Sequence, residues 1–317
     1  MHSYSIKLRP VKNSLLYPGR AWRWVIFAAL VLTACHRGDR KQRLVIGVSY
    51  QNLQNEFIIN LQDAVRARAR ALGADLVELD AQGRAETQIA QVENLVAFGA
   101  DVIILSPCDR EGSAPAVDIA RREHKPIVLV NGMVANTAKA DAFVGSEDTE
   151  AGRIAASYIM ELLGGKGDIA IIHGPNGHSA EVLRSQGIRD VLRRYPSVHV
   201  VAEQTANWDR AQALALMENW LAAGRHIDAV VAQNDEMALG ALKAIQAAHR
   251  EKDIRVVGID AIPDALRAVA AHQLAGTVFQ DARGQGTLAV DVAVRLARHL
   301  AVAHDNYIPF RLITPNN

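Results

Sequence analysis

An α/β fold built as two similar lobes, each around a parallel sheet, is the architecture this sequence predicts. Three observations carry that expectation. From Leu44 onward, short apolar runs alternate with amphipathic stretches, one pair about every 25 to 30 residues, the length of a βα repeat. The second half repeats the arrangement, and no low-complexity linker separates the halves. Polar residues gather where strands end and helices begin, the edge at which open α/β sheets bind ligands.

In the first half, Leu44–Ser49 is an apolar strand and Asn55–Leu72 a helix with Ile58, Leu61, Val65 and Ala69 on one face, stopped by Gly73. Strands follow at Asp75–Leu79, Val102–Leu105 and Ile127–Val130, separated by helices at Glu86–Phe98 and Ala114–Glu123. The second half has helices at Thr149–Leu163, Ala180–Arg194, Arg210–Ala223 and from Glu236, and strands at Ile169–Ile172, Val198–Ala202 and Ile227–Ala232. Arg255–Ile259 and Thr277–Phe279 are further strands, with a helix at Pro263–Ala270 between them. The last helix covers Ala282–Leu300 and a final extended segment Phe310–Ile313.

Composition narrows the class. Half of the 317 residues are hydrophobic and the net charge is +1, a globular balance that suggests no nucleic acid. Residues 1–34 carry five basic residues (Lys7, Arg9, Lys12, Arg20, Arg23) and no acidic one, so their removal leaves 30 basic against 34 acidic residues, about −4. Within them, Trp24–Leu32 is an apolar core behind a basic region, too short to span a bilayer and laid out as an export signal. It ends in Leu32-Thr33-Ala34-Cys35, which resembles the lipobox of bacterial lipoproteins. By that resemblance 1–34 is a lipoprotein signal peptide, Cys35 the lipidated first residue of the mature protein, and 35–43 a tether to a membrane. Cys108 then has no partner, and no disulfide is expected.

Just past the strand ends stand the groups that could read a ligand. They include Gln51, Asn55 and Phe57 after the first strand, Asn131 after Ile127–Val130, and Ser146 after Phe143-Val144. In the second half come His173, His178 and Arg184, then Trp208-Asp209-Arg210, Asn234-Asp235, Asp260 and Gln280. Asn234 ends a buried strand, and Asp235 is positioned to cap the next helix. Amides both donate and accept while carboxylates only accept, a mixture suited to hydroxyl groups; aromatic plates suit the C–H faces of a sugar ring. Enzyme signatures are missing: there is no Gly-x-Gly-x-x-Gly after the first strand, no Walker Gly-Lys-Ser/Thr, no Gly-x-Ser-x-Gly and no His-Glu-x-x-His. No cofactor and no metal site is expected.

The chain resembles the type I periplasmic binding proteins, the sugar-binding family of the ribose binders that is shared with the effector domains of lactose-type repressors. The likeness runs from about Leu44 to Ile313 and is strongest at Ala232-Gln233-Asn234-Asp235-Glu236-Met237-Ala238-Leu239-Gly240-Ala241-Leu242. Val257-Gly258-Ile259-Asp260 with Pro263-Asp264, Trp208-Asp209-Arg210, and Gly177-His178-Ser179-Ala180 leading to Arg184 support it. The resemblance implies two doubly wound parallel-sheet lobes joined by a three-segment hinge, 44–146 plus 281–309 and 147–280 plus 310–317, which close on a ligand. It implies ligand contacts from Asn55, Phe57, Asn131, Ser146, Arg184, Trp208, Asn234, Asp260 and Gln280. Ribose binders carry Asp-Arg where this chain has Asn131-Gly132, and Ile58 replaces a second aromatic, so a different neutral sugar, polyol or cyclitol is expected. The implied role is the binding lipoprotein of an ABC importer: a monomer in the periplasm, held to a membrane by lipid on Cys35, that delivers ligand to an inner-membrane permease. The alternative is a receptor presenting a sugar or furanose-like autoinducer to a membrane sensor.

Overall fold

The computed structural model describes residues 43–317; the expected signal peptide, Cys35 and all of the tether but Arg43 lie outside the described residues. Two six-stranded sheets form. The first contains β1 (Val45–Tyr50), β2 (Asp75–Asp80), β3 (Val102–Leu105), β4 (Ile127–Val130), β5 (Ala142–Gly145) and β11 (Asp305–Tyr307), in the order β11-β5-β4-β3-β1-β2. The second contains β6 (Gly167–His173), β7 (Val198–Thr205), β8 (Ala229–Ala232), β9 (Arg255–Asp260), β10 (Gly276–Phe279) and β12 (Arg311–Ile313), in the order β12-β10-β9-β8-β6-β7. The pairings are parallel except that of β12 with β10. The inner strands, buried on both faces, are the apolar runs of the sequence.

Helices cover both faces of each sheet. On the first, α1 (Glu56–Leu72) and α9 (Ala282–Ala297) pack one face, and α2 (Ala85–Phe98) and α3 (Ala114–Arg122) the other. On the second, α4 (Asp148–Leu162) and α5 (Ser179–Leu192) oppose α6 (Arg210–Ala222), α7 (Asp235–Ala247) and α8 (Pro263–Ala270). Helix α1 shows why the sequence folds this way. Ile58, Leu61, Val65 and Ala69 are buried on one stripe, the Asn55 side chain caps the start by accepting from Phe57 N (2.9 Å), and left-handed Gly73 ends the helix.

The chain passes between the sheets three times: after β5, after β10, and between β11 and β12. Both sheets reverse strand order at the same place, between β1 and β3 and between β6 and β8, and there the carboxyl ends of the strands face a shared cleft. Three elements differ from expectation. Strand β7 runs to Thr205, not Ala202, because an edge strand can carry Glu203 and Gln204 outward and so breaks the apolar run. The last helix stops at Ala297. Strand β11 is a short, largely exposed edge strand whose residues Asp-Asn-Tyr show no strand pattern. Among the described residues no helix is long and apolar enough to cross a membrane.

Candidate functional site

Eight of the nine predicted contact residues converge on one cleft between the two sheets: Asn55, Phe57, Asn131, Arg184, Trp208, Asn234, Asp260 and Gln280. Gln51, Ile58, His178 and Ala180 complete its lining. The two walls stand close together, the gaps between the lining atoms and the adjoining solvent amounting to about 290 Å³. Ser146 stands behind this lining, where its Oγ accepts from Gln285 Nε2 (3.0 Å).

Backbone geometry aims several of these side chains. Asn131, Trp208 and Asp260 have φ of 67°, 61° and 123°, a region costly for any residue with a Cβ. Asn131 directly follows β4, Trp208 follows the turn after β7 and Asp260 ends β9, so each left-handed residue breaks the pleat where its strand meets the cleft. Trp208 also needs Gly174 beneath it, since a Cβ at Gly174 would overlap the indole.

The second-lobe wall is a buried ionic network. Arg184, 3% exposed, donates from Nε to Asp148 Oδ1 (2.9 Å), from Nη1 to Gln233 O (2.6 Å) and from Nη2 to Gln280 Oε1 (3.0 Å), with Asp260 Oδ1 4.0 Å from Nη1. Its guanidinium lies 5.7 Å from the Trp208 ring centre. Burial raises Asp148 above the usual carboxylate range although Arg184 opposes the shift, and burial likewise raises Asp260 well above it, reinforced by the charges of Asp235 and Asp148.

Asn234, not Asp235, caps α7: its Oδ1 accepts from Met237 N (3.0 Å). Asp235 is the first helical residue, and its carboxylate instead binds Ile262 N (3.0 Å) and Thr277 Oγ1 (2.7 Å), tying α7 to β10 and the turn after β9. Burial pushes Asp235 up to about 7. Two amide nitrogens of the wall, Asn234 Nδ2 and Gln280 Nε2, are buried and have no hydrogen-bond partner among the described residues.

The first-lobe wall is neutral. Gln51 Nε2 donates to Asn131 Oδ1 (3.4 Å), Asn131 Nδ2 to Gln285 Oε1 (3.3 Å), and Gln285 Nε2 to Ser146. The relay crosses the cleft at its other end, where Gln51 Oε1 lies 2.7 Å from His178 Nε2. His178 Nδ1 accepts from Ala180 N (3.2 Å), which leaves Nε2 as the protonated nitrogen and the ring neutral. Burial, with Arg184 adding to it, lowers His178 to about 4. Two further bonds join the lobes beside it, Met133 N to Ser179 Oγ (2.9 Å) and Arg110 N to Gly177 O (3.0 Å).

Sequence reading did not single out Asp148, Gln233 and Gln285. Asp148 reads as an ordinary acid in a helix's first turn and Gln233 as the tail of a strand. Gln285 did leave a signal, an amide on the helix stripe between Ala282 and Ala289, and the structure buries it fully.

Fold and cleft together define a two-lobed solute-binding protein. Residues 46–300 match the pattern of the periplasmic binding protein domain, and the chain belongs to that family. Among its relatives, a provisionally assigned rhizopine-binding protein of Rhizobium meliloti is 39% identical over 92% of this chain and 94% of its own length. The ribose import binding protein of Bacillus subtilis is 33% identical over 90% of this chain and 95% of its own. A solved ABC-transporter solute-binding protein of Bacillus halodurans, with myo-inositol bound, is 40% identical with a TM-score of 0.84, covering 87% of this chain and 96% of that one.

Proposed function

We propose that this chain is the solute-binding component of an ABC importer and holds a sugar, polyol or cyclitol between its lobes, 44–146 plus 281–309 and 147–280 plus 310–317, without altering it. The observation that carries this reading is the pair of buried amide donors without partners among the described residues, Asn234 Nδ2 and Gln280 Nε2, which line the same cleft as the Asp260 carboxylate. Buried polar groups are nearly always satisfied, so donors and an acceptor open to one cleft call for a ligand that both accepts and donates at several points. Hydroxyl groups do both. Asn55, Phe57, Asn131, Arg184, Trp208, Asn234, Asp260 and Gln280 form the binding set, with Ser146 supporting Asn131 through Gln285. Arg184 contributes chiefly by holding Gln280 and the Gln233 backbone in place.

The same reading puts the protein in the periplasm as a monomer, anchored by lipid on Cys35 and delivering ligand to an inner-membrane permease. Titration calorimetry with ribose, xylitol and myo-inositol tests the ligand class: one of them binds with a single site, and Asn234→Ala weakens that binding. Heat from none of these, nor from any of a wider panel of pentoses, hexoses, polyols and inositols, would remove the reading. Labelling of growing cells with radioactive palmitate tests the anchor, since Cys35→Ser must abolish incorporation.

A further inference from the structure

We infer that His178 couples ligand binding to the release of a proton. The joint it makes with Gln51 across the cleft forms only with an uncharged ring, so the protein holds its ligand at neutral pH and lets it go as its surroundings turn acid. This rests on the reading above, a polyhydroxylated ligand in the cleft, and adds what governs its release.

No ligand reaches the wall groups while the walls are joined, since Asn234 and Gln280 are each 2% exposed and Arg184 and His178 each 3%. The walls must part to admit a ring and meet again to enclose it. Beside the cleft, three hydrogen bonds join them, and all three fall on the consecutive residues Gly177, His178 and Ser179. They run from Arg110 N to Gly177 O, from His178 Nε2 to Gln51 Oε1, and from Met133 N to Ser179 Oγ. The outer two use peptide groups and a hydroxyl, which do not titrate near neutral pH. Only the middle one passes through a group that does.

The ring has no place for a second proton. Nε2 carries the proton shared with Gln51, and Nδ1 caps α5 by accepting from Ala180 N. A proton on Nδ1 would face that N–H donor to donor, and would set a charge at the amino end of α5, where the helix dipole is already positive. Among the charged neighbours, Arg184 from within α5 also disfavours the cation. Asp109, from the loop after β3, and Glu181, from the first turn of α5, favour it. The other groups in contact are uncharged: Trp208 meets the ring edge-on with centres 5.6 Å apart, and Gln51 is an amide. Asp209, Arg210 and Glu236 border the same outer groove, where Arg210 is paired with Glu236. Burial outweighs the two acids and lowers the ring to about 4. Parting the walls returns it to water and takes Asp109 away with the first sheet. Relief from burial is the larger change, so the ring then titrates nearer its ordinary 6.5.

Between those two values the free protein carries a proton that the ligand-bound protein lacks. Affinity therefore falls on acidification by up to about tenfold per pH unit, and is level above about pH 6.5. Asp148 and Asp260, whose carboxyls burial raises, act in the opposite sense, so variants at the joint are needed to isolate the histidine. The test is titration calorimetry from about pH 7.5 to about pH 5, in buffers of different ionisation heat, with whichever of myo-inositol, xylitol and ribose binds at the upper pH. The wild type loses about tenfold or more in affinity over that range and releases close to one proton per ligand at the acid end. His178→Gln, an amide with no proton to release, loses several-fold less. So does Gln51→Glu, whose carboxylate pairs with the imidazolium and keeps the joint in acid. The same pH profile in the wild type and both variants, or no proton release by the wild type, overturns the inference and leaves the polyol reading standing. If His178→Gln binds nothing, Gln51→Glu decides: an acid loss as steep as the wild type's overturns the inference. Absence of binding at the upper pH by all three compounds, and by a wider panel of pentoses, hexoses, polyols and inositols, overturns the polyol reading itself.

Discussion

On the second-lobe wall of the cleft the polar groups are charged and fixed several times over, Arg184 by four neighbours and Asp235 by two. On the first-lobe wall they are neutral amides joined one to the next, Gln51 to Asn131 to Gln285 to Ser146, at longer distances. A charge network must be complete to be tolerated in a low-dielectric interior, so it is rigid and presents one geometry. An amide relay loses little when one link lengthens. Gln51–His178, Met133–Ser179 and Arg110–Gly177 are the contacts that join the two walls.

The largest expected effect is at Arg184. Arg184→Met strands Asp148 and Asp260 without a cation and costs about 3–5 kcal/mol, as does breaking other buried ion pairs. Urea unfolding measures it; a loss below about 1 kcal/mol would mean that the two walls do not differ as described.

The next is a pH effect at the junction of the walls. His178 is held neutral, at about 4 against an ordinary 6.5, so the unfolded chain takes up its proton first as pH falls. Its contribution is complete above pH about 6.5 and is lost progressively towards pH 4, by on the order of 3 kcal/mol. The raised carboxyls of Asp235 and Asp260 act in the opposite sense, since the folded protein binds their protons first. The stability difference between wild type and His178→Gln isolates the histidine: it shrinks on acidification, and a difference independent of pH would contradict the assignment.

Asn234→Ala comes third. It removes the cap of α7, worth about 1 kcal/mol, and the donor aimed into the cleft, worth about 1–3 kcal/mol of binding or roughly tenfold to a hundredfold in affinity. Stability by thermal melting and affinity by calorimetry separate the two. The smallest effect is at Ser146→Ala, two links from the cleft lining through Gln285 and Asn131, at about 1 kcal/mol of stability and well under tenfold in affinity. An affinity loss there as large as at Asn234 would break the comparison.

The same contrast explains what could be read from the sequence. Strand ends, caps and apolar stripes are local, and through them the sheets, most helices and eight cleft residues were legible, Asn55 with α1 being the plainest case. Long-range pairing was not. Asp148 and Arg184 are 36 residues apart, Asp235 and Thr277 42, Asn131 and Gln285 154, and no local pattern announces which carboxylate an arginine will meet. That is why Asp235 reads as a cap when Asn234 is the cap, and why the position of Ser146 behind the lining, on Gln285, leaves no local sign. Strand β11 escaped for a related reason: its pairing with β5 is decided by the return of the chain to the first sheet, not by its own residues.

The most direct test of the central claim is a thermal melt of the protein with and without each of a panel of pentoses, hexoses, polyols and inositols, repeated with Asp260→Asn. At a hundred times its dissociation constant the true ligand adds about 2.7 kcal/mol to the folded state. A single polyhydroxylated compound that raises the melting temperature of the wild type and not of Asp260→Asn is the predicted result. A cooperative melt that no member of the panel moves, or a shift that Asp260→Asn retains in full, would contradict a ligand held in this cleft.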